Sequence, residues 1–554
     1  MINDTIYNHI EYTKLEDKIL QTKILNRLQF ITQNALAYFS FPSITTKRFI
    51  HCIGTMHLSS YMLENAMLNA TNDAKNSFLK ELKKVIQHII KEHNLDLPLG
   101  GGISYFDNKE LYQFAISTKS KSQREVYNIV LQAVRLAGLL HDVGHLPFSH
   151  QVEYALKKVY NNLDSDITKL NTKELEFKEI YEKTTQNNTL VLHEAIANEL
   201  INTLFSVELP QLLKPKQADY LKLIHQLTIF ILEEKVYNGF DFKVLHQIIS
   251  STVDADRLDY INRDMLASGY IGGANDHIRI TKQTILVKEK EVFHLSFLDM
   301  GLIDIEHMLE MRFNLYKKVI FNYGIAKTDA LLENVVNYLS KKYFDSTIQI
   351  TDDTLPSSIS MLWNFLKETN LEKRLDLVSL LDENWLISLF KKEYFLIKNK
   401  KELTAEDQKY LLSFEEVLFG KRFFSATWKN LNELYNVLDF TTVERYKFRE
   451  SFGYLSAVPL KTLQKRLDEF SAKYEKKEEE TFIVYQVVSF NLGIQKEFSL
   501  YDGKKLIDID EISTLRKRLK YSMRNTVPFY LYSNKKEITL EMKQELKQIL
   551  FEIF

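Results

Sequence analysis

The sequence predicts a mostly α-helical protein, with a helical core, a helical C-terminal extension and a small α+β unit near the C-terminus. Three observations predict it. From about residue 16 to 340, apolar residues recur every three or four positions, the period of a helix with one buried face. Glycine and proline, which interrupt helices, number only 16 and 8 in 554 residues. Segments rich in β-branched and aromatic residues gather after residue 481.

The elements follow in order. "KILNRLQFITQNALAYFSFP" (23–42) reads as a helix running into a loop, and "RFIHCIGTMHLSSYMLENAML" (48–68) as the next helix. Residues 72–123 carry charged helical sequence and the loop "LDLPLGGGISYFDNKE". Its three glycines lack the Lys-Ser/Thr that a phosphate-binding P-loop needs, so a flexible turn is expected. "REVYNIVLQAVRLAGLLHDVG" (124–144) is a strong helix stopped near Gly144 and Pro147. A polar stretch, 157–188, separates it from the helix "LVLHEAIANELINTLF". "VDADRLDYINRDMLASG" is a helix ending at a glycine, and "IEHMLEMRFNLYKKVIFNYGIAKTDALLENVVNYL" closes the first half.

Residues 341–480 are rich in Lys and Glu and helical, with runs such as "KYEKKEEE" read as solvated faces and linkers. "TFIVYQVVSF", "EFSLYDGKKLIDI" and "VPFYLY" read as strands, Asp502-Gly503 marks a hairpin turn, and "LEMKQELKQIL" closes the chain as a helix. No internal repeat is present.

Composition excludes several classes. With 45% hydrophobic and 26% charged residues the chain is ordinary globular protein, and 72 basic residues nearly balance 73 acidic ones. Overall charge therefore gives no indication of nucleic acid or of a membrane surface as a partner. The single cysteine, Cys52, excludes an internal disulfide and fits a reducing compartment. The N-terminus lacks the apolar core of a signal peptide, and no apolar run reaches membrane-spanning length. A cytoplasmic location is expected.

The chemistry is concentrated in "AGLLHDVGHLPFSH" (137–150), which places His141, Asp142, His145 and His150 directly after a core-like run. Such groups are costly to bury unless something pairs with them. An adjacent His-Asp recurs by chance, so its weight comes from its company. His51 lies upstream, behind Arg48, and Asp256 lies downstream in "DADRLDY" with Asp254 and Asp259. Imidazole nitrogens and carboxylate oxygens together suit manganese, iron, nickel or zinc. Two histidines and two aspartates from three converging helices would form a cage with open positions for water and substrate.

The set "RFIHCIG", "HDVGHLPFSH", "LHEA" and "DADRLDYINRD" resembles the HD-domain phosphohydrolases, and more closely their deoxynucleoside triphosphate triphosphohydrolases, bacterial dGTPases among them. The resemblance runs through most of residues 5–330 and returns in "LYDGKK", "ISTLRKRL" and "VPFYLY". It implies an HD-domain helical core over 1–340 with insertions at 72–123 and 157–188, an extension over 341–480 and the α+β unit over 481–554. It implies hydrolysis of a dNTP to deoxynucleoside and inorganic triphosphate, with metal ligands His51, His141, Asp142 and Asp256.

By the same resemblance His150 and Glu153 form a catalytic pair that protonates the leaving oxygen, while His145 and His193 contact the attacked phosphate. For His193 a second-metal ligand or a surface position is the alternative. Arg48 would meet the α-phosphate, and Arg257 the outer phosphates. Arg312 would reach the γ-phosphate, with Tyr316 one turn later. Gln33 and Asp264 would hold the sugar 3′-hydroxyl and Tyr260 a phosphate. For each non-metal residue, an ordinary ion pair or a packed aromatic is the structural alternative.

Magnesium with the triphosphate, a homo-oligomer, an activating or inhibiting nucleotide and antiviral dNTP depletion are further implications. Ile320 and Asn322 depart from the family's Tyr and His, so base and sugar preference do not carry over. The competing readings are an HD enzyme acting on a monophosphate, a cyclic nucleotide or guanosine tetraphosphate, and a nucleotide or nucleic-acid sensor with a basic groove near 388–402.

Overall fold

A computed structural model describes the chain except residues 101–119, 271–274, 349–350, 352–353, 453–456, 478–479 and 489–497. The chain is mostly α-helical, with only small sheets. Two of the three glycines of the expected turn, Gly101 and Gly102, lie outside the described residues. No helix among the described residues is long and apolar enough to cross a membrane.

Three helices position the site. Arg48–Asn69 packs against both Lys121–Leu140 and Ala255–Ser268. The latter two start or stop for a local reason. Ser120 caps Lys121–Leu140 by accepting from the Gln123 amide, and Asp254 caps Ala255–Ser268 by accepting from the Arg257 amide. Gly269, at φ +68°, ends the latter. Two other glycines allow close approach. A Cβ on Gly54 would stand 1.9 Å from Asp259 Oδ1, and one on Gly144 would stand 1.9 Å from the His193 carbonyl. Glycine thus lets the Asp256 and His193 helices close onto the cage.

The helix Lys121–Leu140 stops earlier than Gly144: His141 is its cap, and the turn that follows runs to the helix His150–Asn161. Phe148 and Ser149 both adopt positive φ, 60° and 55°, at the entry to that helix. Such conformations cost energy and persist only where surroundings enforce them. Here Ser149 Oγ donates to the Thr32 carbonyl and accepts from Arg48 Nε.

The segment 23–42 differs most from expectation. It forms only a short helix, Lys23–Asn26, and 3-10 turns at Arg27–Phe30 and Ala37–Phe39. The cause is tertiary. Arg27 is buried and donates to the carbonyls of Val143, His145 and Leu381, while the Thr32 amide and hydroxyl donate to Glu383. Those partners override the local helical period.

The strands expected after residue 481 form at Ile483–Val487, Ser499–Tyr501, Leu506–Asp508 and Phe529–Ser533. Ser499–Tyr501 and Leu506–Asp508 pair as the antiparallel hairpin about Asp502-Gly503. Their sheet is completed by Thr284–Glu289 and Val292–Leu298, with Phe297 opposite Leu500 in a parallel pair. Phe529–Ser533 lies between Ile483–Val487 and Ser425–Ala426. Strands from the end of the chain thus join strands from well before it.

Candidate metal centre and active site

His51 lies one turn inside the helix Arg48–Asn69, with Nδ1 2.8 Å from Asp259 Oδ2. His141 Nδ1 lies 2.8 Å from the Gly138 carbonyl. Both partners are acceptors, so each Nδ1 carries a hydrogen and each Nε2 is turned into the cage, where a bound cation would take its lone pair in place of a proton. Those two Nε2 atoms are buried and make no hydrogen bond. His51 Nε2 is 3.0 Å from Asp256 Oδ1 and 3.6 Å from Asp142 Oδ2. His141 Nε2 is 3.4 Å from Asp142 Oδ1 and 3.7 Å from Asp256 Oδ1. Two orphaned nitrogens facing two carboxylates fit a divalent cation of the borderline class. The donor set attracts positive charge on its own account. Burial alone would lower the His51 pKa, but Asp256 and Asp259 outweigh it and raise it to about 10.

A second cluster adjoins the cage. His145 Nε2 is 3.3 Å from Asp142 Oδ1, and its Nδ1 is 2.6 Å from Glu153 Oε1. His193 Nδ1 is 2.8 Å from Glu153 Oε2, and its ring stacks on that of His145 at 4.0 Å. His150 stands edge-on to His145 at 4.6 Å, with Nδ1 3.6 Å from Glu153 Oε2. The two short bonds of Glu153 therefore go to His145 and His193, and His150 is its more distant neighbour.

Charges in this cluster are well separated. Burial opposes ionisation of Glu153, yet His193 and His145 outweigh it and hold the carboxyl well below its usual range. Burial likewise opposes charge on His193, but Glu153 raises its pKa. His145 is pushed down to about 3 by burial, reinforced by Arg48 and His193. The trio thus joins an anionic carboxylate to one imidazole held neutral and one whose proton affinity is raised. Arg48 Nη1 is bound to the Asp142 carboxylate and Nε donates to Ser149 Oγ at 2.7 Å.

Every expected site residue except His51 and Glu153 lines one cavity of about 1270 Å³. Small-molecule sites run to roughly 300–1,000 Å³, so this cavity is at the upper end of that range or beyond it. Arg312 Nε donates to Tyr260 Oη at 2.7 Å, and its guanidinium lies 5.2 Å from the Tyr316 ring centre. Its Nη1 is buried without a hydrogen bond, as are Gln33 Oε1 and Asp264 Oδ1. Burial raises the Asp264 carboxyl to about 6. Arg257 Nη1 donates to the Ser251 carbonyl. Of the two departures from the family motif, Ile320 faces the cavity, whereas Asn322 caps the helix Tyr323–Asp345 through the Gly324 amide.

Sequence reasoning did not assign roles to Asp259, which holds His51, or to Tyr154, Asp329 and Glu333, which line the cavity. Asp259 was visible as the third residue after Asp256 on the same helix; the others carried no signal.

No family model matches the chain. An uncharacterized protein of Mycoplasma pneumoniae is 30% identical over 218 residues, 39% of this chain and 44% of that protein. A putative HD domain-containing protein of Acanthamoeba polyphaga mimivirus is 22% identical over 371 residues, 65% of this chain and 64% of that one. The deoxynucleoside triphosphate triphosphohydrolase SAMHD1 of Gallus gallus is 26% identical over 153 residues, 28% and 17% of the two chains. A phosphohydrolase structure from Bacteroides thetaiotaomicron matches with TM-score 0.51 and 16% identity, over 96% of this chain and 99% of that one. The similarities to the HD-domain protein and to SAMHD1 support an HD-domain phosphohydrolase, and the Bacteroides structure shows a shared fold. A hypothetical protein from Aquifex aeolicus shares the fold, with TM-score 0.53 and 18% identity over 98% and 99% of the two chains. The chain spans less than two thirds of the length of each of these curated relatives.

Proposed function

We propose that this protein is a metal-dependent dNTP triphosphohydrolase, releasing the deoxynucleoside and inorganic triphosphate. One observation carries the reading: beside the His/Asp cage, a single cavity holds two orphaned buried acceptors and an orphaned guanidinium nitrogen. Gln33 Oε1 and Asp264 Oδ1 suit a hydroxyl donor such as the sugar 3′-hydroxyl, and Arg312 Nη1 suits a phosphate. The SAMHD1 similarity supports the same substrate class.

His51, His141, Asp142 and Asp256 would hold a divalent ion, manganese, iron, nickel or zinc. When bound, such an ion supplies Lewis acidity that activates water and polarises a phosphoryl oxygen. Arg48, beside Asp142, faces the α-phosphate, and Arg257 and Tyr260 take the tail with Arg312. Glu153 raises the proton affinity of His193, whose Nε2–H would then meet a phosphoryl oxygen. The negative charge of a bound triphosphate raises the proton affinity of His145, which then donates in the same way. His150, on the cavity wall, supplies the proton for the departing 5′-oxygen. Magnesium accompanies the triphosphate, and homo-oligomeric assembly and regulation by a nucleotide belong to the same reading.

Manganese-supported turnover of each dNTP, singly and in mixtures, with products resolved by anion exchange, tests it. Deoxynucleoside with intact triphosphate is the expected result. Monophosphate or pyrophosphate moves the reading to another HD phosphohydrolase, and no turnover of any mixture by metal-loaded protein overturns it.

A further inference from the structure

Behind the cage runs a chain of contacts that the proposed chemistry does not use. Strands Ile2–Asp4 and Asn8–Ile10 form an antiparallel hairpin. Asp4 Oδ1 accepts from the amides of Ile6 at 2.7 Å and Tyr7 at 2.9 Å, which fixes the turn. Asp4 Oδ2 forms an ion pair at 2.8 Å with Arg263 Nη2. Tyr7 Oη donates to Asp259 Oδ1 at 2.8 Å, and its ring lies 5.0 Å from those of His57 and His277. Arg263 Nε lies 3.0 Å and 2.8 Å from the two Asp259 oxygens, and Oδ2 receives His51 Nδ1 at 2.8 Å.

Asp259 is fully buried. A carboxylate can turn about its Cβ–Cγ bond, and Arg263 reaches both oxygens with one nitrogen. That contact restrains the turn weakly. Two donors on opposite oxygens, Tyr7 on Oδ1 and His51 on Oδ2, define it. No water reaches the group to replace a donor that is lost. The orientation of the carboxylate sets the plane of the His51 ring, and so the direction in which Nε2 points into the cage.

We propose that Tyr7 is a positioning residue for the metal centre, and that the hairpin carrying it braces His51 through Asp259. The inference rests on the metal-dependent reading above. It extends that reading to a part of the chain more than forty residues before the first cage ligand.

Cobalt(II) is titrated into the metal-free full chain, following its visible absorption and its competition with a chelator. Tyr7→Phe removes the hydroxyl and keeps the ring between His57 and His277. Loss of a group that orients a metal ligand lowers affinity about tenfold or more, so Tyr7→Phe is expected to bind about tenfold more weakly, with a shifted absorption band. His9→Ala, on an exposed position of the same hairpin, leaves both unchanged. Binding by Tyr7→Phe within about twofold of wild type, with the same band, overturns the inference while leaving the cage reading intact. Absence of saturable binding by wild type overturns both. Should Tyr7→Phe fail to fold, Asp4→Asn loosens Arg263 and the turn carrying Tyr7. An approximately threefold loss then supports the bracing role, and unchanged affinity overturns it.

Discussion

Gly54 lies where the His51 helix meets the Asp256 helix, and Gly54→Ala tests whether that contact builds the cage. The added Cβ would stand 1.9 Å from Asp259 Oδ1, 2.6 Å from its Cγ and 2.7 Å from Arg263 Nη2. Ordinary carbon–oxygen contact is roughly 3.5 Å, so Asp259 must retreat by more than an ångström. Its 2.8 Å hydrogen bonds to His51 and Tyr7 do not survive that shift. Two terms oppose one. Overpacking costs about 1–3 kcal/mol and disrupting a buried charge network about 3–5 kcal/mol. Alanine's better helix propensity returns about 1 kcal/mol. The net expectation is a loss of about 3 kcal/mol or more. Urea unfolding of the metal-free chain measures it, and cobalt titration is expected to show affinity reduced about tenfold or more. A variant at least as stable as wild type, with unchanged affinity, refutes the reasoning: helix propensity would then have decided the sign.

Two further substitutions probe the cavity. Burial holds the Asp264 carboxyl at about 6 in the folded chain, against about 3.9 when unfolded. The folded state therefore binds the proton more tightly, and stability falls as pH rises from about 4 through 6. Asp264→Asn lacks that charge, so it gains on wild type over this window by on the order of 3 kcal/mol, while its KM for dNTP rises; paired urea unfolding at pH 4 and pH 8 showing no such difference refutes this. Asp142→Asn removes a cage carboxylate and leaves the buried Arg48 without its anion. Activity is expected to fall by more than about tenfold, or roughly 1.4 kcal/mol, and a smaller loss measured by dNTP turnover argues against the scheme.

The convergence of His51, His141, Asp142 and Asp256 was foreshadowed by distinctive local sequence: a His-Asp step after an apolar helix, and aspartates at helical spacing. The C-terminal strands were legible from β-branched runs and the Asp502-Gly503 turn. Their partners were not. The hairpin of Thr284–Glu289 and Val292–Leu298 went unread, and its parallel pairing with Ser499–Tyr501 spans some two hundred residues that carry no local register signal. The helix expected over 23–42 failed for the complementary reason. Its period is helical, but the buried Arg27 collects three carbonyls from distant segments, and no window of sequence contains them. Asp259 shows the same limit at the site. Its spacing put it near Asp256, while its bond to His51 and its brace from Tyr7 exist only once the helices have packed.

The family resemblance pairs Glu153 with His150, and the geometry makes a different experiment decisive. If Glu153 acted only through His150, then Glu153→Gln would cost nothing further in a His150→Ala background. Instead its two short bonds, 2.6 Å and 2.8 Å, run to His145 and His193, with His150 at 3.6 Å. Glutamine preserves the shape and removes the charge. His193 then loses the interaction that outweighs its burial, and its pKa falls. The imidazolium that faces the phosphate is lost at lower pH, so the alkaline limb of the kcat/KM profile moves toward acid. A group that stabilises transition-state charge is worth about 100-fold or more. The double variant is therefore expected to fall at least about tenfold below His150→Ala alone at neutral pH, with that acid-ward shift. Equal activities and superimposable pH profiles would return Glu153 to the service of His150 alone.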